Sequence, residues 1–211
     1  MNKKEKARLV IELLEKRYPE PACGLFWDGD PYRLLVMAIL SAQCTDARVN
    51  EVAKTLFTRF PTVESMASAD LADIETEIHS VGLYRSKALA LKECCKRVSE
   101  VYGGTVPSEM EDLLTLRGVG RKVANLIRGD IFGLGGIVAD THCIRISGRL
   151  GLSNGRDPLK TERDLEKIVP IEKQSDYCHR MVLFGREVCI ARKPKCDECE
   201  LKEICIYKDE K

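Results

Sequence analysis

The sequence predicts an all-α fold. Apolar residues recur at helical spacing almost throughout, and no alternating run is longer than a few residues, which argues against strands. The chain has 211 residues, of which 44% are hydrophobic and 32% charged, the balance of a globular protein with a core. At roughly 150 residues per domain, this length allows one large domain or two small ones.

The breaks between the first predicted helices carry their own signals. Pro19 is expected to end the first helix, and Asp30-Pro31 is an N-cap followed by a proline at the first helical position. Ser108 and Glu111 have the spacing of a capping box. Apolar faces place the helices around residues 9–14, 34–40, 49–60, 71–78, 88–98 and 113–116.

The second half continues the pattern. A Gly-x-Gly turn is followed by a helix through residues 123–127 and by a glycine-rich loop at residues 133–136. Asp140 is predicted to cap a helix that runs towards Leu150. Asp157-Pro158 opens another helix, and residues 175–185 form one more. Because no low-complexity linker interrupts the chain, any two domains should share a close interface.

Charge and targeting signals narrow the function only a little. Lys+Arg number 34 and Asp+Glu 33, so the net charge of +1 predicts no polyanionic partner, and any basic surface must be local. No apolar run approaches the ~20 residues of a membrane helix, and the first residues lack the apolar core of a signal peptide. We therefore expect a cytoplasmic protein.

Four of the ten cysteines are clustered near the C-terminus as Cys189-x6-Cys196-x2-Cys199-x5-Cys205. In a chain without an export signal, such clustering favours a metal centre over a disulfide framework. Four thiolates suit a tetrahedral zinc or an iron–sulfur cluster. Zinc sites of four cysteines usually have two Cys-x2-Cys pairs, and only one is present, so the spacing favours iron–sulfur.

Basic residues lie between the first two of these cysteines. Arg192, Lys193 and Lys195 carry three positive charges, and no acidic residue accompanies them. The segment is either a solvated loop or a loop that contacts phosphates and is held in place by the metal centre.

The segment Leu116-Arg117-Gly118-Val119-Gly120-Arg121-Lys122 reads as two helices joined by a Gly-x-Gly turn. Glycines let a phosphate approach the backbone, and the next helix N-terminus offers free N–H groups. The turn lacks the third glycine of a dinucleotide-binding motif, and Val123 stands where a P-loop needs Ser or Thr. We interpret it as a backbone anion site.

Together, the hairpin and the cysteine cluster resemble those of the endonuclease III family of DNA glycosylases, and the resemblance covers nearly the whole chain. Further matching segments are Leu40-Ser41-Ala42-Gln43 with Thr45-Asp46, Val81-Gly82-Leu83-Tyr84 with Ser86-Lys87-Ala88, Val138-Ala139-Asp140-Thr141-His142, and Gly185-Arg186. One departure is Arg117, which stands where the family commonly has proline and could add a phosphate contact.

The resemblance implies a base-excision-repair glycosylase with AP lyase activity that acts on oxidised pyrimidines in duplex DNA and carries a [4Fe-4S] cluster on the four cysteines. Such an enzyme must extrude its target nucleotide. Lys122 would displace the damaged base and form a Schiff base, and Asp140 would activate the amine or stabilise the cationic sugar. β-Elimination would then cut the strand 3′ to the abasic site.

The same resemblance implies the DNA contacts. Gln43 and Leu83, on two separate loops, would fill the space left by the extruded nucleotide. His142 would contact the lesion pocket or satisfy backbone groups at a helix end. The other expected DNA-binding residues are Arg117, Gly118, Val119, Gly120, Arg121, Arg192, Lys193 and Lys195.

The family architecture implies a six-helix barrel domain at residues 24–134, which contains the hairpin, and an iron–sulfur cluster domain at residues 1–23 and 135–211. The DNA-binding cleft would lie between them, with Lys122 and Asp140 on opposite sides of its mouth. Such an enzyme is expected to be a monomer.

Two other functions remain open. An adenine-specific mismatch glycosylase would carry a catalytic glutamate in the helix after Pro31, yet residues 32–41 contain no acid. A non-catalytic iron–sulfur DNA-binding module would keep Gly118, Gly120 and the cysteines, but it would have no need for Lys122 with Asp140.

Overall fold

The computed structural model describes residues 1–207, and the predicted all-α class is confirmed: no strand occurs in this part of the chain. The α-helices are α1 Lys3–Arg17, α2 Pro31–Leu40, α3 Asp46–Arg59, α4 Val63–Ser68, α5 Leu71–Glu77, α6 Tyr84–Tyr102, α7 Met110–Leu113, α8 Arg121–Phe132, α9 Thr141–Arg149, α10 Pro158–Glu166 and α11 Gln174–Glu187. Short 3-10 helices lie at Ile171–Lys173, Cys196–Glu198 and Lys202–Ile204. Within residues 1–207, no helix is long and apolar enough to span a bilayer.

The chain divides into two compact units, each with its own core. The hairpin unit is Cys23–Phe132. The cysteine unit combines Met1–Ala22 with the described residues from Gly133 onward.

Helix α2 is the centre of the hairpin unit. The Asp30 side chain accepts a hydrogen bond from the Tyr32 N–H, and Pro31 occupies the first turn, so the predicted start signal is confirmed. Every side chain from Leu34 to Leu40 is buried, because α2 packs against α3, α6 and α8. Burial on all sides explains why α2 is apolar all round.

In the hairpin unit, one local prediction is wrong and one helix was not predicted. The Ser108 and Glu111 capping box is wrong: α7 has Glu109 at its N-cap, without a side-chain capping bond. Conversely, α4 was not predicted, although Thr62 and Ser65 form a reciprocal capping box at its start. At six residues, α4 is too short for its apolar spacing to stand out, and packing against α6 stabilises it.

The cysteine unit is built around α11, which packs against α1 and α9. Asn2 and Glu5 form a capping box at the start of α1. The core-facing residues of α1 are Ala7, Val10, Ile11 and Leu14. The apolar face predicted around residues 9–14 is therefore partly wrong, because Leu9 is exposed.

Candidate functional site

The Gly-x-Gly turn lies against two helices of the hairpin unit. Gly118 has a φ of 85°, and a Cβ there would lie 3.1 Å from Ile39 Cγ2 on α2 and 3.2 Å from Ala90 Cβ on α6. Both the left-handed backbone and the close packing therefore require glycine. Val119 is buried and anchors the turn.

Gly120 differs from Gly118, because a Cβ at Gly120 would meet nothing within 4 Å. The space beside its Cα is therefore open, and α8 begins at the next residue. The first four N–H groups of a helix have no intrahelical acceptor, so the start of α8 offers donors to an anion next to this open space. The geometry supports the predicted backbone anion site.

Lys122 is the second residue of α8 and is exposed. Within residues 23–132, its ammonium group has no hydrogen-bond or ion-pair partner. The side chain is therefore available to a substrate that docks on the open side of the turn. Arg121, which is also exposed, adds a second positive charge at the same helix end.

The Arg117 side chain forms an ion pair with Glu93. Its Nη1 lies 2.5 Å from Glu93 Oε2 on α6, and both side chains are about half exposed. The pair fastens the turn to α6, a role that a proline at this position could not perform. A phosphate contact by Arg117 would have to share or break this ion pair.

The structure places the Gln43 and Leu83 loops side by side. Gln43 follows α2 and has a φ of 53°, and Leu83 is the N-cap of α6 and has a φ of 60°. A Cβ at Gly82 would lie 3.8 Å from the carbonyl oxygen of Gln43. Both tips are exposed, Leu83 to 61%. An exposed leucine in a left-handed conformation is a costly arrangement for the free protein.

The Gly-x-Gly turn and the two exposed loop tips of the hairpin unit are all positioned by α2 and α6. The turn rests on α2 and α6, while Gln43 lies just past the end of α2 and Leu83 just before the start of α6. Helices α2 and α6 thus position the anion site and both exposed loop tips.

Asp140 is the N-cap of α9 in the cysteine unit, as predicted. Its Oδ1 accepts a hydrogen bond of 2.7 Å from the Cys143 N–H. The side chain is half-buried, and the cap fixes its orientation. Within the cysteine unit, the second carboxylate oxygen has no hydrogen-bond partner, so it can accept a proton or stabilise a cation.

His142 lies against α11. Its Nδ1 is 3.1 Å from Arg145 Nη2, and a side chain at Gly185 would collide with the imidazole ring. This contact explains the glycine in Gly185-Arg186, one of the segments that carried the family resemblance.

The four clustered cysteines line one small cavity, together with Val188 and Pro194. Three-residue 3-10 helices precede Cys199 and Cys205 and turn their side chains inward. No three of the four sulfur atoms lie within 4.8 Å of one another. In a zinc site with Zn–S of about 2.3 Å, the sulfurs would be about 3.8 Å apart. The wider arrangement therefore fits an iron–sulfur cluster better than a single zinc.

Two arginines that the sequence analysis missed support this cavity from α9. Arg149 donates hydrogen bonds to Cys189 Sγ at 3.2 Å and to the Ala191 carbonyl at 2.7 Å. Arg145 donates to the Cys189 carbonyl at 2.9 Å. Their spacing of four places both on one face of the helix, which was the available sequence signal. The guanidinium of Arg149 can offset negative charge on the thiolates.

The basic loop between the first two cysteines is exposed at all three cationic positions. Within the cysteine unit, Arg192 and Lys193 have no ion-pair partner. Lys195 lies near Glu187 and contributes to the lowering of the pKa of that carboxyl group, which is mainly due to a hydrogen bond from Arg17. Two unpaired cations thus remain available to a polyanion.

Comparisons with known proteins agree with this arrangement. The family described as HhH-GPD superfamily base excision DNA repair protein matches residues 36–171, and the iron–sulfur binding domain of endonuclease III matches residues 189–205. The chain is 44% identical to an endonuclease III of Synechocystis sp., over 97% of this chain and 93% of that protein. It is 42% identical to an endonuclease III of Bacillus subtilis, over 92% of this chain and 89% of that protein.

A solved structure described as a trapped endonuclease III–DNA covalent intermediate superimposes with a TM-score of 0.92 and 39% identity. The match covers 100% of this chain and 99% of that chain.

Proposed function

The chain belongs to the endonuclease III family of HhH-GPD base excision repair proteins, and on that premise we propose how its residues divide the chemistry. It has the helix-hairpin-helix glycosylase fold, and it is a base-excision-repair DNA glycosylase with AP lyase activity. It binds DNA and holds a [4Fe-4S] cluster.

Lys122 is the nucleophile in this proposal. Its neutral amine attacks C1′ of the extruded nucleotide, and the bond from C1′ to the damaged base breaks, so that the base leaves and takes up a proton. The C1′–O4′ bond then breaks, O4′ takes a proton to become a hydroxyl, and the nitrogen lone pair forms the C=N bond of the Schiff base. Only an amine can form this imine, so arginine could not replace it. The observation that carries the proposal is the exposed Lys122 ammonium, which has no partner within residues 23–132 and lies beside an open anion site.

Asp140 accepts the proton that the Lys122 amine must lose, or it stabilises positive charge on the sugar. Its free carboxylate oxygen supports this role, while the capped oxygen holds the side chain still. Removal of a C2′ proton then expels the 3′ phosphate by β-elimination. Water hydrolyses the Schiff base and releases Lys122.

The proposed DNA contacts fall into three groups. The turn from Arg117 to Arg121 binds a backbone phosphate through its N–H groups and cations. The exposed loop with Arg192, Lys193 and Lys195 binds further phosphates, and His142 contacts the lesion pocket. Gln43 and Leu83 fill the vacated space in the duplex.

Cys189, Cys196, Cys199 and Cys205 are the proposed ligands of the cluster. When bound, the cluster supplies a rigid cross-link between four thiolates. This chain's contribution is to direct the four sulfurs into one cavity and to place Arg149 beside Cys189. With the four thiolates joined in this way, the chain from Cys189 to Cys205 would hold the basic loop in a fixed conformation.

We assign the six-helix barrel domain to residues 24–134 and the iron–sulfur cluster domain to residues 1–23 and 135–211. The hairpin unit and the cysteine unit, with their separate cores, support this assignment. The proposed substrate is an oxidised pyrimidine or an abasic site in duplex DNA. We expect the enzyme to act as a monomer in the cytoplasm, where it associates with the DNA.

The alternatives are less consistent with the residues. A mismatch-specific adenine glycosylase would need an acid in α2, which contains only Arg33 as a charged residue. A non-catalytic module would leave the free amine of Lys122 and the free oxygen of Asp140 without a use.

Borohydride trapping on abasic-site DNA tests the nucleophile. Reduction of the Schiff base should link wild-type protein covalently to the strand, and Lys122→Gln should give no adduct. Lys96→Gln, an exposed lysine substitution on α6, is the matched control and should be trapped like the wild type. Equal trapping of Lys122→Gln and wild type would contradict the assignment.

Asp140 can be tested apart from its structural role. Asp140→Asn keeps a good N-cap and should melt like the wild type, yet its trapping should be strongly slowed. Asp140→Ala should also lose about 1 kcal/mol of stability. A wild-type trapping rate in Asp140→Asn would show that the carboxylate is only a cap.

A further inference from the structure

Lys87 on α6 is a buried lysine that the proposed chemistry does not use. Only 6% of the residue is exposed, and this burial lowers the pKa of its ammonium group. Nζ donates hydrogen bonds to the Leu40 carbonyl at 2.9 Å and the Ala42 carbonyl at 2.6 Å. These carbonyls belong to the end of α2 and to the loop residue just before Gln43.

The same residue also bonds to the other loop. The backbone N–H of Lys87 donates to the Leu83 carbonyl at 3.0 Å and closes the first turn of α6. Lys87 therefore contacts both chain segments that lead to the exposed, left-handed residues Gln43 and Leu83.

The energetics favour a role for Lys87 in stabilising the conformations of the two loops. The last carbonyls of a helix have no intrahelical donor and carry partial negative charge, so an ammonium group there is well placed. A left-handed conformation costs roughly 1–2 kcal/mol for a residue other than glycine. Two such residues in adjacent loops persist only if neighbouring contacts hold them.

We infer that Lys87 is a positioning residue that holds Gln43 and Leu83 together as a preformed wedge for the duplex. This inference rests on the proposed function, because a wedge is useful only to a protein that extrudes a nucleotide. Ordering both loops in advance removes an entropic cost that would otherwise oppose DNA opening.

The substrate dependence follows from this role. Extrusion of a stacked and paired base costs a few kcal/mol, and the cost is lower where the base is damaged or absent. A loosened wedge should therefore slow base release from a paired lesion more than it slows strand cleavage at an abasic site. A general loss of stability would not separate the two reactions.

The test compares Lys87→Met with Lys92→Met in the full-length, cluster-loaded protein. Lys92 lies on the same helix, and its Nζ donates to the Ala69 carbonyl at 2.7 Å, just after α4 and outside both loops. Single-turnover rates are measured on one duplex with an oxidised pyrimidine opposite guanine, and on the same duplex with an abasic site at that position.

For Lys87→Met we expect base release to fall about tenfold relative to abasic-site cleavage. Lys92→Met should change both rates by the same factor. Equal losses in Lys87→Met would overturn the inference. If thermal melting shows that Lys87→Met does not fold, Lys87→Gln, a neutral side chain that still offers two donors, is measured in the same way.

The same data separate this inference from the proposed function. Wild-type protein that neither releases the base nor cuts the abasic strand would refute the function itself. An active wild type with an unchanged ratio in the Lys87 variants would refute only the wedge.

Discussion

The two units hold their functional residues by different means. In the described part of the chain, the buried polar side chains of the hairpin unit are Lys87 and Asn125, whereas those of the cysteine unit are Ser147, Ser153, Thr161, Glu162, Gln174 and Arg180. The hairpin unit relies mainly on apolar packing and backbone conformation, supplemented by the hydrogen bonds of Lys87 at the loops and the Arg117–Glu93 ion pair at the turn. The cysteine unit relies on hydrogen bonds, several of them donated by arginines, and on the four thiolates proposed to bind one cluster.

This difference indicates what each unit tolerates. Apolar packing is insensitive to pH but sensitive to volume, because an added methyl group in a core close-packed at crystal density costs about 1–3 kcal/mol. Hydrogen bonds, ion pairs and metal ligation are weakened instead when a ligand is removed or an acceptor group is protonated. Three substitutions probe these sensitivities, in order of decreasing expected effect.

Cys199→Ser should have the largest effect, because it removes one of the four proposed cluster ligands from the cysteine unit. We expect the brown colour and about four irons per chain of the wild type to be lost, with strong destabilisation of residues 189–205. Iron analysis and limited proteolysis measure both. Cys23→Ser is the control: Cys23 is half-buried in the hairpin unit, and this variant should retain the iron content of the wild type. A colourless, zinc-loaded wild type with full activity would refute the cluster assignment.

Gly118→Ala probes the hairpin unit. The left-handed φ and the contacts with Ile39 and Ala90 should together cost about 2–4 kcal/mol in the free energy of unfolding. Denaturant titration measures this loss. Gly120→Ala is the control, because its Cβ would meet no atom within 4 Å and stability should hardly change. Equal stability of the two variants would contradict the packing argument.

Arg17→Met should have the smallest effect. Arg17 bonds to Glu187 and holds the pKa of that carboxyl below its usual 4.5. A carboxyl with a lowered folded-state pKa stabilises the fold above pH 4.5, and this contribution is lost as the pH falls through the folded-state value. The gap in Tm between wild type and Arg17→Met should therefore close in acid.

Arg8→Met is the control for this experiment. Arg8 pairs with Glu12 one turn along α1, and 83% of its side chain is exposed. Exposed pairs contribute little to stability, so its Tm should match the wild type at every pH. A gap for Arg17→Met that widens in acid would show that the Glu187 contact is not its source.

Sequence alone determined those features that depend on neighbouring residues. The caps at Asp30 and Asp140 join atoms two or three residues apart, so the residue types predict them directly. Short-range signals also failed where packing decided: Ser108 does not cap α7, and α4 forms against α6 despite its length.

Tertiary structure alone decided the contacts between distant residues. Lys87 reaches carbonyls 45 and 47 residues away, Arg117 pairs with Glu93, and the sulfur separations follow from how residues 189–205 turn. No local pattern specifies such partners, because they depend on which helix faces pack together. The sequence therefore predicted the candidate reacting groups and the cluster motif, and folding decided which side chains support these segments.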